Sequence, residues 1–195
     1  MRSELRPALV MMLAMTLITG IAYPLLVTGI ARLAFPTKAQ GSLIRVEGRA
    51  VGSRLIGQEF SDPRYFWGRL SATSPGPYDA SASSGSNLGP SNPALLVAAR
   101  ARIAALRSAD PGAPARVPVD LVTASASGLD PDISLAAAEF QVARVARARS
   151  RSLEDVRQLV RRASTGRGFG LLGEPVVNVL ELNLALDHAR AGEVR

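Results

Sequence analysis

The sequence predicts an α+β protein in two parts: a single N-terminal transmembrane helix, then one mixed α/β soluble domain. Two observations lead there. From Pro7 to Ala31 no side chain is charged and the run is apolar almost throughout. At about 1.5 Å per residue it makes a helix of ~37 Å, longer than the ~30 Å hydrocarbon core of a bilayer. Beyond Arg32 helical apolar stripes alternate with short β-branched runs, separated by Gly, Pro and Ser. The expected divisions are 1–6 as a tail, 7–33 as the anchor and 34–195 as the soluble domain. About 160 residues is one ordinary domain, large enough to bury a core.

A cleaved signal peptide is the rival reading of the first segment, with Arg2 and Arg6 as its basic start. A signal's apolar region runs about 7–15 residues, and here it continues well past Ala22, so a retained anchor is expected. Lipid attachment through cysteine is excluded because the chain has none. Thr16, Gly20, Pro24 and Thr28 recur every four residues and share one slowly drifting face. Pro24 has no N–H and its ring presses on the carbonyl of Gly20, which predicts a bend. Small residues on one stripe let a second helix approach closely, so this face is expected to pack against a partner helix. Arg2, Glu4 and Arg6 precede the anchor, and Arg32, Lys38 and Arg45 follow it. Positive-inside counting is therefore equivocal, leaning against an exported domain.

In the soluble part, Leu43–Val46, a Glu47-Gly48 turn and Ala50-Val51 read as a hairpin, with 54–58 as its extension. The triplet Tyr65-Phe66-Trp67 holds the only tryptophan and reads as core or as an interface anchor. Ser71 to Asn92 is a long Ser/Gly/Pro loop, a length usually reserved for function or disorder. Asn92-Pro93 caps a helix to about Ser108, with Leu95, Ala99, Ile103 and Leu106 on one face. Asp110 to Pro114 breaks it. Val117–Thr123 reads as a strand, with Pro118 near its start, and 124–129 as a second loop. Asp130-Pro131 or Ser134 caps the next helix, which runs to about Ala148 and buries Ile133, Ala137, Phe140 and Val145. Ser152 to Asp155 opens another helix with the stripe Leu153, Val156, Leu159 and Val160. Thr165–Gly173 is a glycine-rich turn, and Asn178 caps a last helix through Leu186.

Composition removes several chemistries. Without cysteine there is no disulfide, thiolate nucleophile or Cys-based zinc site. The net charge of +7 is almost all arginine, Lys38 being the only lysine. No aromatic-plus-basic stacking platform accompanies it, so nucleic acid is not an expected partner. The single histidine, His188, lies beside Asp187 near a charged terminus, where solvation is the ordinary outcome. Neither a Gly-x-Ser-x-Gly elbow nor a phosphate-cradling Gly-x-x-x-x-Gly-Lys-Ser/Thr loop is present, and Ser84-Gly85-Ser86-Asn87-Leu88-Gly89 is not one. No catalytic residue and no metal ligand is assigned. Loops 83–89 and 124–130 could together offer backbone N–H groups to an anion, although ordinary turn chemistry accounts for them more simply.

Seven strings carry a family likeness. They are Gly57-Gln-Glu-Phe60, Tyr65-Phe-Trp-Gly-Arg69, Ser71-Ala-Thr73, Ser86-Asn-Leu-Gly-Pro90, Val119-Asp-Leu-Val-Thr-Ala-Ser125, Ser127-Gly-Leu-Asp-Pro131, and Gly173-Glu-Pro175 with Val177–Asn183. In this order behind one anchor, they resemble the C subunit of the Kdp potassium-transporting ATPase across essentially the whole chain. Leu70, Ser84, Ser91 and Asp132 depart from the usual Pro, Gly, Thr and His. Any role the family gives that histidine is absent here.

The resemblance implies a non-catalytic accessory and assembly subunit of a high-affinity, ATP-driven potassium uptake complex in the inner membrane. Its partners would be a channel-like potassium-binding subunit and a P-type ATPase subunit. Two finer roles conflict. A catalytic chaperone would raise the ATPase subunit's affinity for ATP, with Ser84, Gly85, Ser86 and Asn87 as the nucleotide contact. ATP would then be held only in the complex, with no tightly bound cofactor. An extracytoplasmic domain over the potassium entrance, the topology the family favours, could not touch cytoplasmic ATP. From another class, a signal-cleaved periplasmic binding protein or enzyme is the alternative.

Overall fold

The computed structural model describes the backbone of residues 2–192 and divides the chain into two compact units, residues 1–51 and 52–195. The first contains α1 (Arg2–Leu17), a π-helical turn (Ile18–Ala22), α2 (Tyr23–Ala34) and a short α3 (Pro36–Ala39). Glu4–Ala34 form one helical run of 31 residues, long and apolar enough to cross a membrane, and its most apolar window is not buried within the protein. The π turn explains how Pro24 is accommodated. Tyr23 N–H donates to the Ile18 carbonyl five residues back. Widening the ladder just before Pro24 moves the carbonyl that its ring would otherwise strike. The hydroxyl of Thr19 donates to the Met15 carbonyl at 2.7 Å, feeding a polar side chain back into the same ladder.

Strands β1 (Leu43–Val46) and β2 (Arg49–Ser53) form the expected hairpin. Glu47 and Gly48 have φ of 49° and 80°, the paired left-handed conformations of a type I′ turn. The extension expected over 54–58 does not form. Ser53 Oγ accepts from Leu55 N–H at 3.1 Å and its carbonyl from Ile56 N–H at 3.3 Å, so the chain turns away.

The second unit contains α4 (Pro93–Ala109), β3 (Asp132–Ser134), α5 (Leu135–Ala148), α6 (Leu153–Ala163), β4 (Ser164–Thr165), β5 (Val176–Asn178) and α7 (Val179–Gly192). Its antiparallel sheet has the order β3-β5-β4, with Ile133 opposite Val177 and Ser164 also opposite Val177. Each helix starts where a side chain satisfies an orphan N–H. Asn92 accepts from Ala94, Ser134 from Ala137, Ser152 from Asp155 and Asn178 from Glu181. Ser134, not Asp130, is thus the cap of α5. Along α6, Glu154 and Asp155 stand in the first turn and Arg161 and Arg162 in the last, each sign matching the helix dipole.

Residues 117–123 are not a strand. Val119–Leu121 form a 3-10 turn, with Leu121 N–H on the Pro118 carbonyl and Val122 N–H on that of Val119. Asp120 uses its carboxylate to accept from Ser134 N–H at 2.8 Å, fixing the turn against the start of α5. The β-branched run had the composition of a strand, but local hydrogen bonds win. Leu153, expected on the buried stripe, is 47% exposed at the first position of α6.

The core gathers Leu106, Ile133, Val145, Val156, Val177 and Leu186 around two aromatic rings, Phe66 and Trp67. Those rings belong to an irregular segment, so their backbone groups need partners from elsewhere. Asn183, 1% exposed on α7, accepts from Phe66 N–H at 2.9 Å and donates to Phe66 C=O at 3.0 Å. Gln141, equally buried on α5, accepts from Trp67 N–H at 2.8 Å and donates to Trp67 C=O at 3.1 Å. Each primary amide acts as one residue of a neighbouring strand. Arg144 adds bonds to the carbonyls of Pro63 and Tyr65, and to Gln141 Oε1 at 2.6 Å. Its guanidinium lies 4.7 Å from the Trp67 ring centroid, and that of Arg102 lies 5.1 Å away. Burial holds the Arg144 guanidinium down at about 10.

Gln141→Leu keeps similar volume but strands the N–H and C=O of Trp67 and one N–H of Arg144. A loss of about 2–4 kcal/mol is expected. Denaturant unfolding followed by the fluorescence of Trp67, the only tryptophan, checks it.

Candidate functional site

Two loops, 71–90 and 124–130, meet beside the aromatic segment. Arg69 leads out of it and pairs with Asp130 at 2.9 Å, donating also to the Ala124 carbonyl at 3.3 Å. Asp130 turns its other oxygen to Asp132 N–H at 3.0 Å, so one carboxylate ties the loop platform to β3. Ser71 is the hub of the first loop. Its hydroxyl donates to Gly128 C=O at 2.7 Å and accepts from Tyr78 N–H at 2.8 Å. Tyr78 donates from its phenol to Arg69 C=O at 2.6 Å, and burial pushes its ionisation up to about 12. A Cβ at Gly57 would lie 2.3 Å from the Tyr78 ring, so glycine is what lets that ring seat.

The loops that the sequence paired, 83–89 and 124–130, are brought together. Ser84 N–H and the Ser83 hydroxyl both donate to Ser127 C=O at 3.0 Å. Gly128, at φ 69°, passes so close that an added Cβ would stand 2.6 Å from the Ser84 carbonyl. Ser84 Oγ donates to Gly85 C=O at 3.2 Å. Gly85 lies against Ala126, whereas Ser86 and Asn87 are exposed and Asn87 has φ 51°. On the other side of Asp130, a shallow concavity of about 570 Å³ is lined by Leu55, Arg69, Ser127, Leu129 and Pro131 among others.

Asp132 accepts from Asn178 Nδ2 at 3.1 Å. Burial holds its carboxyl above the usual range, against the opposing pull of Asn178 and with neighbouring Asp130 and Glu181 adding to it. On the anchor, Thr16, Gly20, Pro24 and Thr28 are all exposed on the helix surface. His188 is exposed on α7.

Sequence reasoning missed Arg69, Arg102, Gln141, Arg144 and Asn183 as organisers. A signal existed for three of them. Gln141 and Arg144 fall on the predicted buried face of α5, and Asn183 sits between Leu182 and Leu186 on α7. Polar side chains on an apolar stripe announce buried partners.

The structure thus defines a class: one helix of membrane-spanning length, joined to an α+β domain whose loops close on each other around an arginine–aspartate pair. Residues 5–188 match the family model described as KdpC, the c chain of the K+-transporting ATPase. The Potassium-transporting ATPase KdpC subunit of Sorangium cellulosum is 66% identical over 190 residues, covering 97% of this chain and all of the relative. That of Methylococcus capsulatus is 63% identical over the same coverage, and that of Polaromonas naphthalenivorans 65% identical over 96% and 95% of the two chains. The chain belongs to the KdpC family.

Because the Asp132 carboxyl is raised in the folded state, its charged form opposes folding above the ordinary carboxylate range, and that opposition vanishes below it. Asp132→Asn keeps an acceptor for Asn178. The variant should be more stable than the parent at pH 7, the difference disappearing below about pH 4. Thermal unfolding at the two pH values reads this directly.

Proposed function

We propose that this chain is the accessory and assembly subunit of an ATP-driven potassium uptake complex, held in the inner membrane by one helix. The observation that carries the proposal is the family match over residues 5–188, which takes in anchor and domain together. In this reading the anchor docks on a membrane helix of the channel-like, potassium-binding subunit, and the P-type ATPase subunit supplies ATP hydrolysis. No residue of this chain is given a catalytic role. The soluble domain stands outside the cytoplasm over the potassium entrance. What supports a structural rather than nucleotide-binding domain is that Ser84 already spends its N–H on Ser127 and its hydroxyl on Gly85.

The exposure of Ser86 and Asn87 favours a second reading, in which the domain acts as a catalytic chaperone contacting ATP through 84–87. Photolabelling of the assembled complex by an ATP analogue separates the two. If the second holds, labelling of this chain falls when Ser84, Ser86 and Asn87 become Ala. Undiminished labelling, or none in the parent, removes it.

The docking face has its own test. A Cβ at Gly20 would meet only the Thr16 methyl, at 3.9 Å, so Gly20→Leu leaves this helix intact while filling its small-residue stripe. Forcing extra methylenes into a fitted contact costs about 1–3 kcal/mol. Recovery of the other subunits with the variant should therefore fall roughly tenfold. Unchanged recovery would discard this face as the docking site.

A further inference from the structure

The turn between β4 and β5 is built unlike the other loops. Gly168 and Leu172 exchange backbone hydrogen bonds at 2.8 and 2.9 Å, and Gly170 N–H closes on the Arg167 carbonyl at 3.0 Å. Arg167 and Glu174 bridge its base at 2.9 Å. Phe169 and Gly170 take φ of 51° and 76° at the tip. This small, hydrogen-bonded finger turns its apolar side chains outward. Phe169 is 97% exposed, Leu171 82% and Leu172 67%, Phe169 being the most exposed large apolar side chain among the described residues. An unstructured loop would fold such side chains back onto the core; here the backbone bonds hold them away from it.

We propose that the 168–172 finger inserts its apolar tip into the interfacial layer of an anionic bilayer. The choice of lipid over a groove on a protein rests on charge and on size. Residues 161–174 carry Arg161, Arg162 and Arg167; Arg161 pairs with Glu154 and Arg167 with Glu174, so the net positive charge that Arg162 adds shortly before the finger in sequence is what suits anionic headgroups. Three apolar side chains offer on the order of 500 Å², less than a stable protein interface buries. A wedge between headgroups needs no matching groove, and an aromatic ring suits that depth. Because the chain carries its own spanning helix, weak contact suffices: tethering raises the local concentration of bilayer surface. The proposal rests on the membrane attachment above and adds a second point of contact.

The absence of cysteine makes the test clean. Phe169→Cys and, independently, Leu171→Cys accept one environment-sensitive fluorophore each in the full chain. These are assembled in their complex and reconstituted into phosphatidylglycerol–phosphatidylethanolamine vesicles. Ser86→Cys serves as the exposed control and Leu26→Cys as the anchor control. Lipid-borne nitroxide should quench the labels at 169 and 171 several-fold more than the label at 86. Quenching of the tip by aqueous iodide alone would overturn the proposal. Shielding of the tip from both quenchers would do the same and assign the finger to a protein groove. A quenched Leu26 label beside an unquenched tip defeats this proposal alone; an unquenched Leu26 label defeats the attachment and this proposal with it.

Discussion

Two buried amides hold the second unit together. The segment Tyr65-Phe66-Trp67 brings the largest rings into the core without the ladder of a sheet to occupy its backbone. An unpaired buried N–H or C=O costs more than a made bond returns. Asn183 and Gln141 answer that demand from two different helices, α7 and α5, each with a donor and an acceptor on one residue. The rings can be central only because the amides are there. Arg144 and Arg102 then fix Trp67 from the sides, so the aromatic segment, α4, α5 and α7 share one set of constraints.

That clamp also positions the loops. Arg69 leaves the core two residues after Trp67, and its pair with Asp130 is the hinge pin of the platform formed by 71–90 and 124–130. Because Ser71, Tyr78, Ser84 and Ser127 satisfy one another, the platform is a packed surface despite having almost no regular secondary structure. A long Ser/Gly loop here means dense side-chain-to-backbone bonding. Such a surface has a fixed shape, which suits the proposed assembly role better than a flexible ligand loop would.

Much of this was legible beforehand. A helix long and apolar enough to span a membrane, the hairpin begun at Leu43, the helix caps Asn92, Ser152 and Asn178, with Ser134 as one of two candidates for the fourth, and the main apolar stripes follow from local chemistry: run length, turn residues and N-cap side chains. The three-stranded sheet did not. Its strands are only two or three residues long, β5 being a three-residue prelude to a cap that was recognised, and so short a run has no period to read. Residues 117–123 have the β-branched composition of a strand, but the turn bonds to the Pro118 and Val119 carbonyls and the Asp120 carboxylate on Ser134 N–H decide their conformation. The loop pair was found by composition, yet its real organiser, Arg69 with Asp130, lies 61 positions apart in sequence and leaves no local pattern. The π turn before Pro24 went unforeseen for a related reason: proline predicts disruption of the ladder, but not which of several repairs the helix adopts.

Native-state hydrogen exchange at Phe66 and Trp67 interrogates the clamp most directly. If amides from α5 and α7 fix this segment into the cooperative core, both N–H groups exchange only through global unfolding, with the same free energy as the buried amides of α5. Exchange at those two positions through local opening, as fast as at Ser86 and Asn87, would show that the aromatic segment can detach while the helices stay folded, and the account would be contradicted.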